Sequence, residues 1–119
     1  MYSRELLDHF QNPRNAGEIE APDACVQIEN PACGDVLKLM ARVRDGRIAE
    51  IRFKAMGCVP AIACGSALTT LVEGMTIGEA GQMQRDRVVS AVGGLPEASG
   101  HAAHLAMDAL AALLRQVSG

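Results

Sequence analysis

Residues 37–55 have the sequence LKLMARVRDGRIAEIRFKA, which is the clearest structural pattern in the chain. Apolar and charged residues alternate on both sides of Asp45-Gly46, which is typical of two strands that each have one buried face. Asp-Gly supplies the two positive-φ positions of a type I′ turn, so the strands should form an antiparallel hairpin. Ile48 is out of phase with the return strand and predicts a bulge or a longer turn.

Helical patterns flank the hairpin on both sides. A short helix is predicted over residues 3–10, with Ser3 as its N-cap, followed by a loop over 14–23 and a third strand over 24–30. Further helices are predicted from beyond Gly57 up to Gly74 and over 76–81, 86–92 and 100–117. This order favours an α+β fold, a small antiparallel three-stranded sheet with helices packed on one face.

Composition narrows the class of protein. With 119 residues, of which 49% are apolar and 21% charged, we expect one globular domain over 1–119. A net charge of −3 and only three aromatic residues argue against nucleic-acid binding. No apolar run is long enough to span a membrane, and the start of the chain lacks a targeting pattern. We therefore expect a cytoplasmic protein, with the basic outer face of the hairpin in solvent.

The four cysteines, in a reducing compartment, are expected to be thiols or metal ligands. Cys33 and Asp35 lie where the hairpin begins, and Gly34 lets the backbone turn so that both side chains can face one ion. The alternative is a half-buried turn cysteine beside an aspartate that caps a turn.

Cys58 follows Gly57, just before the predicted helix. The helix N-terminus should stabilise a thiolate and lower the pKa of Cys58. In an antiparallel hairpin, residue 35 and residues 56–58 return to the same edge of the sheet. Cys33, Asp35 and Cys58 should therefore lie close together, which strengthens the case for a functional site and leaves open the alternative of three structural polar residues.

The remaining candidates are less specific. His101 and His104 are three residues apart at the start of the last helix and share a face, but such histidines are often solvated or capping residues. Cys64 shares an apolar stripe with Leu68 and is more simply a buried core residue. Cys25 is interpreted as structural. No Cys–His or Ser–His–Asp spacing supports an enzyme, so a thiol-dependent sulfurtransferase using Cys58 or Cys64 ranks last.

Four segments together resemble the IscU/NifU N-terminal scaffold family of iron–sulfur cluster assembly. They are YSRELLDHFQNPRNAG at 2–17, NPACGD at 30–35, RFKAMGCVPAIA at 52–63, and Leu95-Pro96 followed by His101 and by Leu105-Ala106 with Asp108-Ala109. The match runs through nearly the whole chain in the family's order. It implies a SufE/NifU-like fold, in agreement with the hydrophobic pattern.

The resemblance also implies a function and a ligand set. Such scaffolds assemble a [2Fe–2S] cluster from iron and from sulfur supplied by a cysteine desulfurase, pass it to apo-proteins, and also bind Zn²⁺. Carried over residue by residue, the ligands are Cys33, Asp35, Cys58 and His101. These four suffice for one tetrahedral metal, or for two ligands on each iron of a [2Fe–2S] cluster.

This chain departs from the family pattern at two places. The family's third cysteine, the one associated with accepting sulfur, follows the histidine directly, and here that position is Ala102. Cys64 is the leading substitute and His104 the next. The chaperone-docking segment Leu-Pro-Pro-Val-Lys of the IscU branch is replaced by Leu95-Pro96-Glu97-Ala98-Ser99, which argues against docking of that chaperone. The alternative function is therefore a degenerate metal-binding module, or a regulator of a desulfurase that assembles no cluster.

Overall fold

The computed structural model describes residues 1–117. The predicted hairpin is present as β2 (Val36–Arg44) and β3 (Arg47–Met56), paired antiparallel. Asp45 and Gly46 both have positive φ, 54° and 73°, as a type I′ turn requires. The sequence prediction of this turn is therefore confirmed.

The predicted irregularity near Ile48 is a register shift. Arg42 pairs with Glu50 but the next residue, Val43, pairs with Ile48, so Ala49 has no partner in the ladder. The extra residue turns Ile48 inward, where it is 1% exposed. A pattern break in the sequence therefore corresponds to a bulge that keeps an apolar side chain buried.

The sheet is completed by β1 (Ala24–Glu29), which pairs antiparallel with β2 and gives the order β1-β2-β3. The helices are α1 (Arg4–Gln11), α2 (Val59–Val72), α3 (Ile77–Gly81), α4 (Arg85–Ala91) and α5 (Gly100–Val117), with a 3₁₀ turn at Glu97–Ser99. Within residues 1–117, no helix is both long enough and apolar enough to cross a membrane.

Helices α2 and α5 pack on one face of the sheet, α2 against β3 and α5 against β1 and β2. Gly65 permits a close approach of α2, because a Cβ there would lie 2.8 Å from the Phe53 ring. Phe53 is the largest fully buried side chain, and aliphatic residues and alanines fill the rest of the core. The predicted α+β architecture is confirmed.

The outer face of the sheet differs from the prediction, because the segment before β1 crosses it. The segment first pairs with the free edge of β3, where Gly17 N–H donates to the carbonyl of Phe53 at 2.9 Å, and beyond this point Ile19 is only 6% exposed. Glu18 forms ion pairs with Lys38 at 3.0 Å and with Lys54 at 3.4 Å. The basic outer face is thus partly neutralised and covered by the segment predicted only as a loop.

Helix α1 docks on α2 through Ser66, which is fully buried. The Ser66 hydroxyl oxygen accepts a hydrogen bond from Arg14 N–H at 2.8 Å and lies 2.7 Å from His9 Nδ1. At the other end of α1, Ser3 Oγ caps the helix by accepting from Leu6 N–H and donates to the Val92 carbonyl. Both ends of the N-terminal helix are therefore fixed to the rest of the domain.

Candidate metal centre

A compact loop joins β1 to β2 and carries the first two candidate ligands. Asn30 N–H donates to the carbonyl of Asp35 at 2.8 Å, and Gly34 N–H donates to the carbonyl of Asn30 at 2.7 Å. Gly34 has φ +76°, a conformation that glycine adopts without strain. This closed loop leaves Cys33 exposed and turns Asp35 inward, where it is 2% exposed.

Cys58 lies at the junction of β3 and α2, where it is the N-cap residue of α2. Its backbone N–H donates to Asp35 Oδ1 at 3.0 Å, and its Sγ lies 3.2 Å from Asp35 Oδ2. The two ends of the hairpin are therefore joined through the buried carboxylate.

Gly57 marks the end of the second hairpin strand in the sequence, and the structure gives it a further role. It has φ +134°, and a Cβ placed on it would lie 2.0 Å from Asp35 Oδ1. The lack of a side chain is thus what allows the carboxylate to reach the Cys58 N–H. In the sequence, the only indication of this role is a glycine directly before a cysteine at a predicted strand-to-helix junction.

His101 enters from the start of α5, just after the 3₁₀ turn. Its Nε2 lies 3.3 Å from Asp35 Oδ2 and 3.7 Å from Cys58 Sγ. Cys33 Sγ approaches the same Oδ2 at 3.2 Å. Among the described residues, Cys33, Asp35 and His101 have ligand atoms that all lie within 4.8 Å of one another. The structure thus brings Cys33, Cys58 and His101 together around one oxygen of Asp35, Oδ2.

The electrostatics of Asp35 favour the ionised form. Burial raises the pKa of Asp35, but hydrogen bonds from Cys58 N–H and from the Cys58 and Cys33 thiols, together with His101, outweigh it and leave the pKa below its usual value. The site therefore has an anionic carboxylate at its centre.

The prediction of a lowered pKa for Cys58 is wrong. Burial raises the pKa of Cys58, and the hydrogen bond to Asp35 raises it further, because both favour the neutral thiol. The opposing hydrogen bond from Ala61 N–H is weaker than these effects. Cys58 directs its own backbone N–H at Asp35, so this N–H stabilises the carboxylate, and the Ala61 N–H of the first turn of α2 offsets only part of the rise in the pKa of Cys58.

The other candidates lie outside this group. Cys64 is completely buried in the core on α2, and burial raises its pKa to about 12. Cys25 is exposed on β1, with its backbone N–H and C=O bonded to the Gln116 side chain. His104 is exposed on α5, and Ala102 is 1% exposed. Neither proposed substitute for a third thiolate lies beside Asp35.

The spacing of the donor atoms suits a tetrahedral ion. Zinc–ligand bonds of about 2.0–2.3 Å place tetrahedral ligand atoms roughly 3.3–3.8 Å apart. The separations around Asp35 Oδ2 are 3.2 Å to each sulfur and 3.3 Å to His101 Nε2, and the Cys58–His101 separation is 3.7 Å. These separations suit a small thiophilic cation, but Cys58 does not belong to the group of ligand atoms that all lie within 4.8 Å of one another, so binding by all four residues requires the two sulfurs to move closer together. That these residues bind a metal stays a prediction.

Fold and sequence together define the family of this protein. Residues 1–118 match the family described as the NifU-like N terminal domain. The chain is 47% identical over 110 residues to the iron–sulfur cluster assembly scaffold protein IscU 1 of Archaeoglobus fulgidus, covering 92% of this chain and 72% of that relative. The protein therefore belongs to the NifU-like N-terminal domain family.

Two further comparisons support the family and the fold. The chain is 38% identical over 117 residues to the iron–sulfur cluster assembly scaffold protein IscU of Haemophilus influenzae, covering 95% of this chain and 92% of that relative. The crystal structure of the N-terminal part of a nitrogen-fixing NifU-like protein from Brucella abortus superposes with a TM-score of 0.79 at 23% identity, covering 98% of this chain and 93% of that one. At that identity the superposition supports the fold alone.

Proposed function

We propose that this protein is a non-enzymatic scaffold that binds iron and assembles an iron–sulfur cluster, a [2Fe–2S] cluster, at Cys33, Asp35, Cys58 and His101. The observation that carries the proposal is the approach of two thiols and one imidazole to a single buried carboxylate oxygen, at 3.2–3.3 Å. Relatives named as cluster assembly scaffolds support it. Zn²⁺ would occupy the same site as a competing ion.

Asp35 suits this role because it is already ionised and accepts hydrogen bonds from both thiols. A thiol must lose its proton before it binds a metal. The hydrogen bond to Asp35 favours the neutral Cys58 thiol in the metal-free site, so a bound cation must displace the thiol protons to solvent. The ionised carboxylate can then serve as a ligand beside the two thiolates. The partners that follow from this role are a cysteine desulfurase that supplies sulfur and the apo-proteins that receive the cluster.

Anaerobic reconstitution with iron and sulfide tests the proposal. The wild-type protein should retain iron and show the visible absorption of a [2Fe–2S] cluster, and Cys33→Ala and Cys58→Ala should lose both. Cys25→Ala is the matched control, because Cys25 is exposed but lies outside the site. Cys64→Ser should also retain the cluster if Cys64 is only a core residue. A wild-type protein that stays colourless and retains no iron contradicts the proposal.

A second candidate function rests on Ala102, which is buried at the position of the family's third cysteine. In that case the protein binds Zn²⁺ or iron as a metal module, or regulates a desulfurase, without assembling a cluster. Stoichiometric Zn²⁺ with no effect on desulfurase turnover favours the module. A change in turnover without cluster formation favours the regulator, and Ala102→Cys tests whether a third thiolate restores assembly.

A further inference from the structure

The candidate metal centre lacks one sulfur that the family pattern has. We call this centre, formed by Cys33, Asp35, Cys58 and His101, the thiol site. Ala102 occupies the position of the cysteine that the family pattern associates with accepting sulfur, and it is 1% exposed. A thiol that takes over this role has to be exposed to another protein and has to lie at the thiol site. Among the described residues, Cys33 alone meets both conditions.

Cys33 lies at the tip of the loop between β1 and β2. All four residues 31–34 are exposed. On either side of Cys33 in the chain, Ala32 has only a methyl group and Gly34 has no side chain, so neither neighbour shields the sulfur. Asn30 closes the base of the loop, because its carbonyl accepts a hydrogen bond from Gly34 N–H at 2.7 Å. The loop therefore presents the Cys33 sulfur to solvent on a fixed support.

Each of the other three thiols fails one condition. Cys58 is only half-buried, but it lies at the start of α2 with its thiol directed at Asp35 Oδ2 at 3.2 Å. Cys64 is completely buried in the core. Cys25 is exposed, but it is four positions before the end of β1, which is roughly 13 Å further along the sheet at about 3.3 Å per residue.

We propose that Cys33 is the thiol that accepts sulfur from a cysteine desulfurase, in place of the cysteine missing at position 102. This inference rests on the proposed function, because it gives a second role to a ligand of the same site. The Cys33 sulfur attacks the outer sulfur of a persulfide on the donor cysteine. The S–S bond of the donor breaks, a new S–S bond forms at Cys33, and the proton of the Cys33 thiol passes to the departing donor sulfur. A thiol and a persulfide thus exchange one sulfur atom, and no oxidant or reductant is consumed.

The transferred sulfur arrives inside the thiol site. An S–S bond is about 2.05 Å long, and Cys33 Sγ lies 3.2 Å from Asp35 Oδ2. The ligand atoms of Cys33, Asp35 and His101 all lie within 4.8 Å of one another. A persulfide on Cys33 therefore carries its outer sulfur beside the carboxylate and the imidazole that are proposed to hold iron.

The double role of Cys33 imposes an order on assembly. The thiolate is both the nucleophile that accepts sulfur and the ligand that binds a metal, so Cys33 cannot do both at once. Sulfur has to arrive before Cys33 binds a metal. Zn²⁺ bound at the thiol site should therefore block sulfur transfer, and removal of Zn²⁺ with a chelator should restore it.

Persulfide mapping tests the inference. The metal-free protein is incubated with L-cysteine and a cysteine desulfurase that co-elutes with it in gel filtration, then alkylated and digested with trypsin. Cys25 and Cys33 fall in one tryptic peptide, residues 15–38, so fragment ions in the mass spectrometer have to locate the transferred sulfur. The sulfur should be found on Cys33.

Variants separate Cys33 from the other thiols. Cys33→Ser should lose the transferred sulfur. Cys25→Ser is the matched control at an exposed thiol outside the site, and it should carry sulfur on Cys33 as the wild type does. Cys58→Ser should lose the cluster in reconstitution but still carry sulfur on Cys33. Circular dichroism melting checks that each variant is folded.

The outcomes also separate this inference from the proposed function. Sulfur found on Cys58 or Cys64 instead of Cys33 overturns the inference, and so does equal transfer to the metal-free and the Zn²⁺-loaded protein. If a cluster forms from inorganic sulfide but no cysteine accepts sulfur from the desulfurase, the proposed function stands and this inference fails. If Cys33 accepts sulfur but reconstitution yields no cluster, the inference stands and the proposed function fails.

Discussion

At the scale of single residues, the contact between Gly57 and Asp35 carries the candidate site. Gly57→Ala should displace the carboxylate, because a Cβ would lie 2.0 Å from Oδ1, and should also strain a backbone with φ +134°. The strain costs about 1–3 kcal/mol, and the disrupted buried hydrogen bonds cost roughly 1–3 kcal/mol more. Urea unfolding should therefore show a large loss of stability, and reconstitution should show loss of iron.

Gly74→Ala is the control for that experiment. Gly74 also has positive φ, +88°, but nothing lies within 4 Å of a Cβ placed there. The Gly74→Ala variant therefore measures the loss of stability caused by backbone strain alone, without displacement of a carboxylate. Equal losses of stability in the two variants, with iron binding retained in Gly57→Ala, would show that the contact with Asp35 has no special role.

The thiols of the chain should differ sharply in reactivity. Burial raises the pKa of Cys64 to about 12 and leaves its sulfur inaccessible. At pH 8, iodoacetamide should modify the exposed Cys25 and Cys33 in the folded protein, and Cys64 only in urea. Peptide mass spectrometry measures this directly. Modification of Cys64 in the folded state as fast as that of Cys25 would indicate that the start of α2 opens, and would revive Cys64 as a ligand.

At the scale of elements, the docking of α1 on α2 should depend on pH through His9. Burial lowers the pKa of His9, with help from the Arg14 charge and against that of Asp8. The fold thus favours neutral His9. Its contribution to stability is full above the ordinary pKa of 6.5 and is lost as the pH falls through the lower folded value. Partial exposure should keep this below about 1 kcal/mol.

A comparison of two histidine variants separates the contribution of His9 to the pH dependence of stability from that of other groups. The free energy of unfolding should fall less steeply between pH 7 and pH 5 in His9→Gln than in the wild type. His104→Gln is the matched control, because His104 is exposed and its side chain forms no hydrogen bond within residues 1–117. A wild-type slope retained in His9→Gln would mean that other groups cause the acid sensitivity.

The strands and loops of this fold show which features can be predicted from the sequence and which cannot. The hairpin, its turn and its bulge follow from alternation, Asp-Gly and one out-of-phase residue, because these are local signals. The convergence of Asp35 and Cys58 follows from antiparallel pairing. The path of residues 16–23 over the outer face of the sheet does not follow from local signals, because contacts such as Glu18 with Lys38 and Lys54 join distant parts of the chain. Antiparallel pairing places Asp35 near Cys58 but does not show that Cys58 is half-buried with its thiol hydrogen-bonded to the carboxylate, so the raised pKa of Cys58 could not be predicted.

At the scale of the whole molecule, the candidate site joins parts of the chain that are far apart. Asp35 and Cys58 are separated by 23 residues, and Cys58 and His101 by 43. The unfolded chain does not hold these groups together, so a metal that binds them should stabilise the entire domain. At a free concentration one hundred times the dissociation constant, the gain is about 2.7 kcal/mol. For a domain near 100 residues this corresponds to a rise in Tm of roughly 10–15 °C.

Zn²⁺ is the suitable ion for this measurement, because it needs no anaerobic handling and accepts sulfur, nitrogen and oxygen ligands. The Tm measured with Zn²⁺ should exceed the Tm measured with a chelator by roughly 10–15 °C, both in the wild type and in Cys25→Ala. The difference should disappear in Cys58→Ala, which removes one sulfur from the site. His104→Ala should keep it, because His104 lies outside the thiol site. A stabilisation that survives in Cys58→Ala but not in Cys33→Ala would mean that Cys33, Asp35 and His101 hold the ion by themselves. A stabilisation that survives in both variants would mean that Zn²⁺ is held elsewhere, and the four residues around Asp35 would then not form the metal centre.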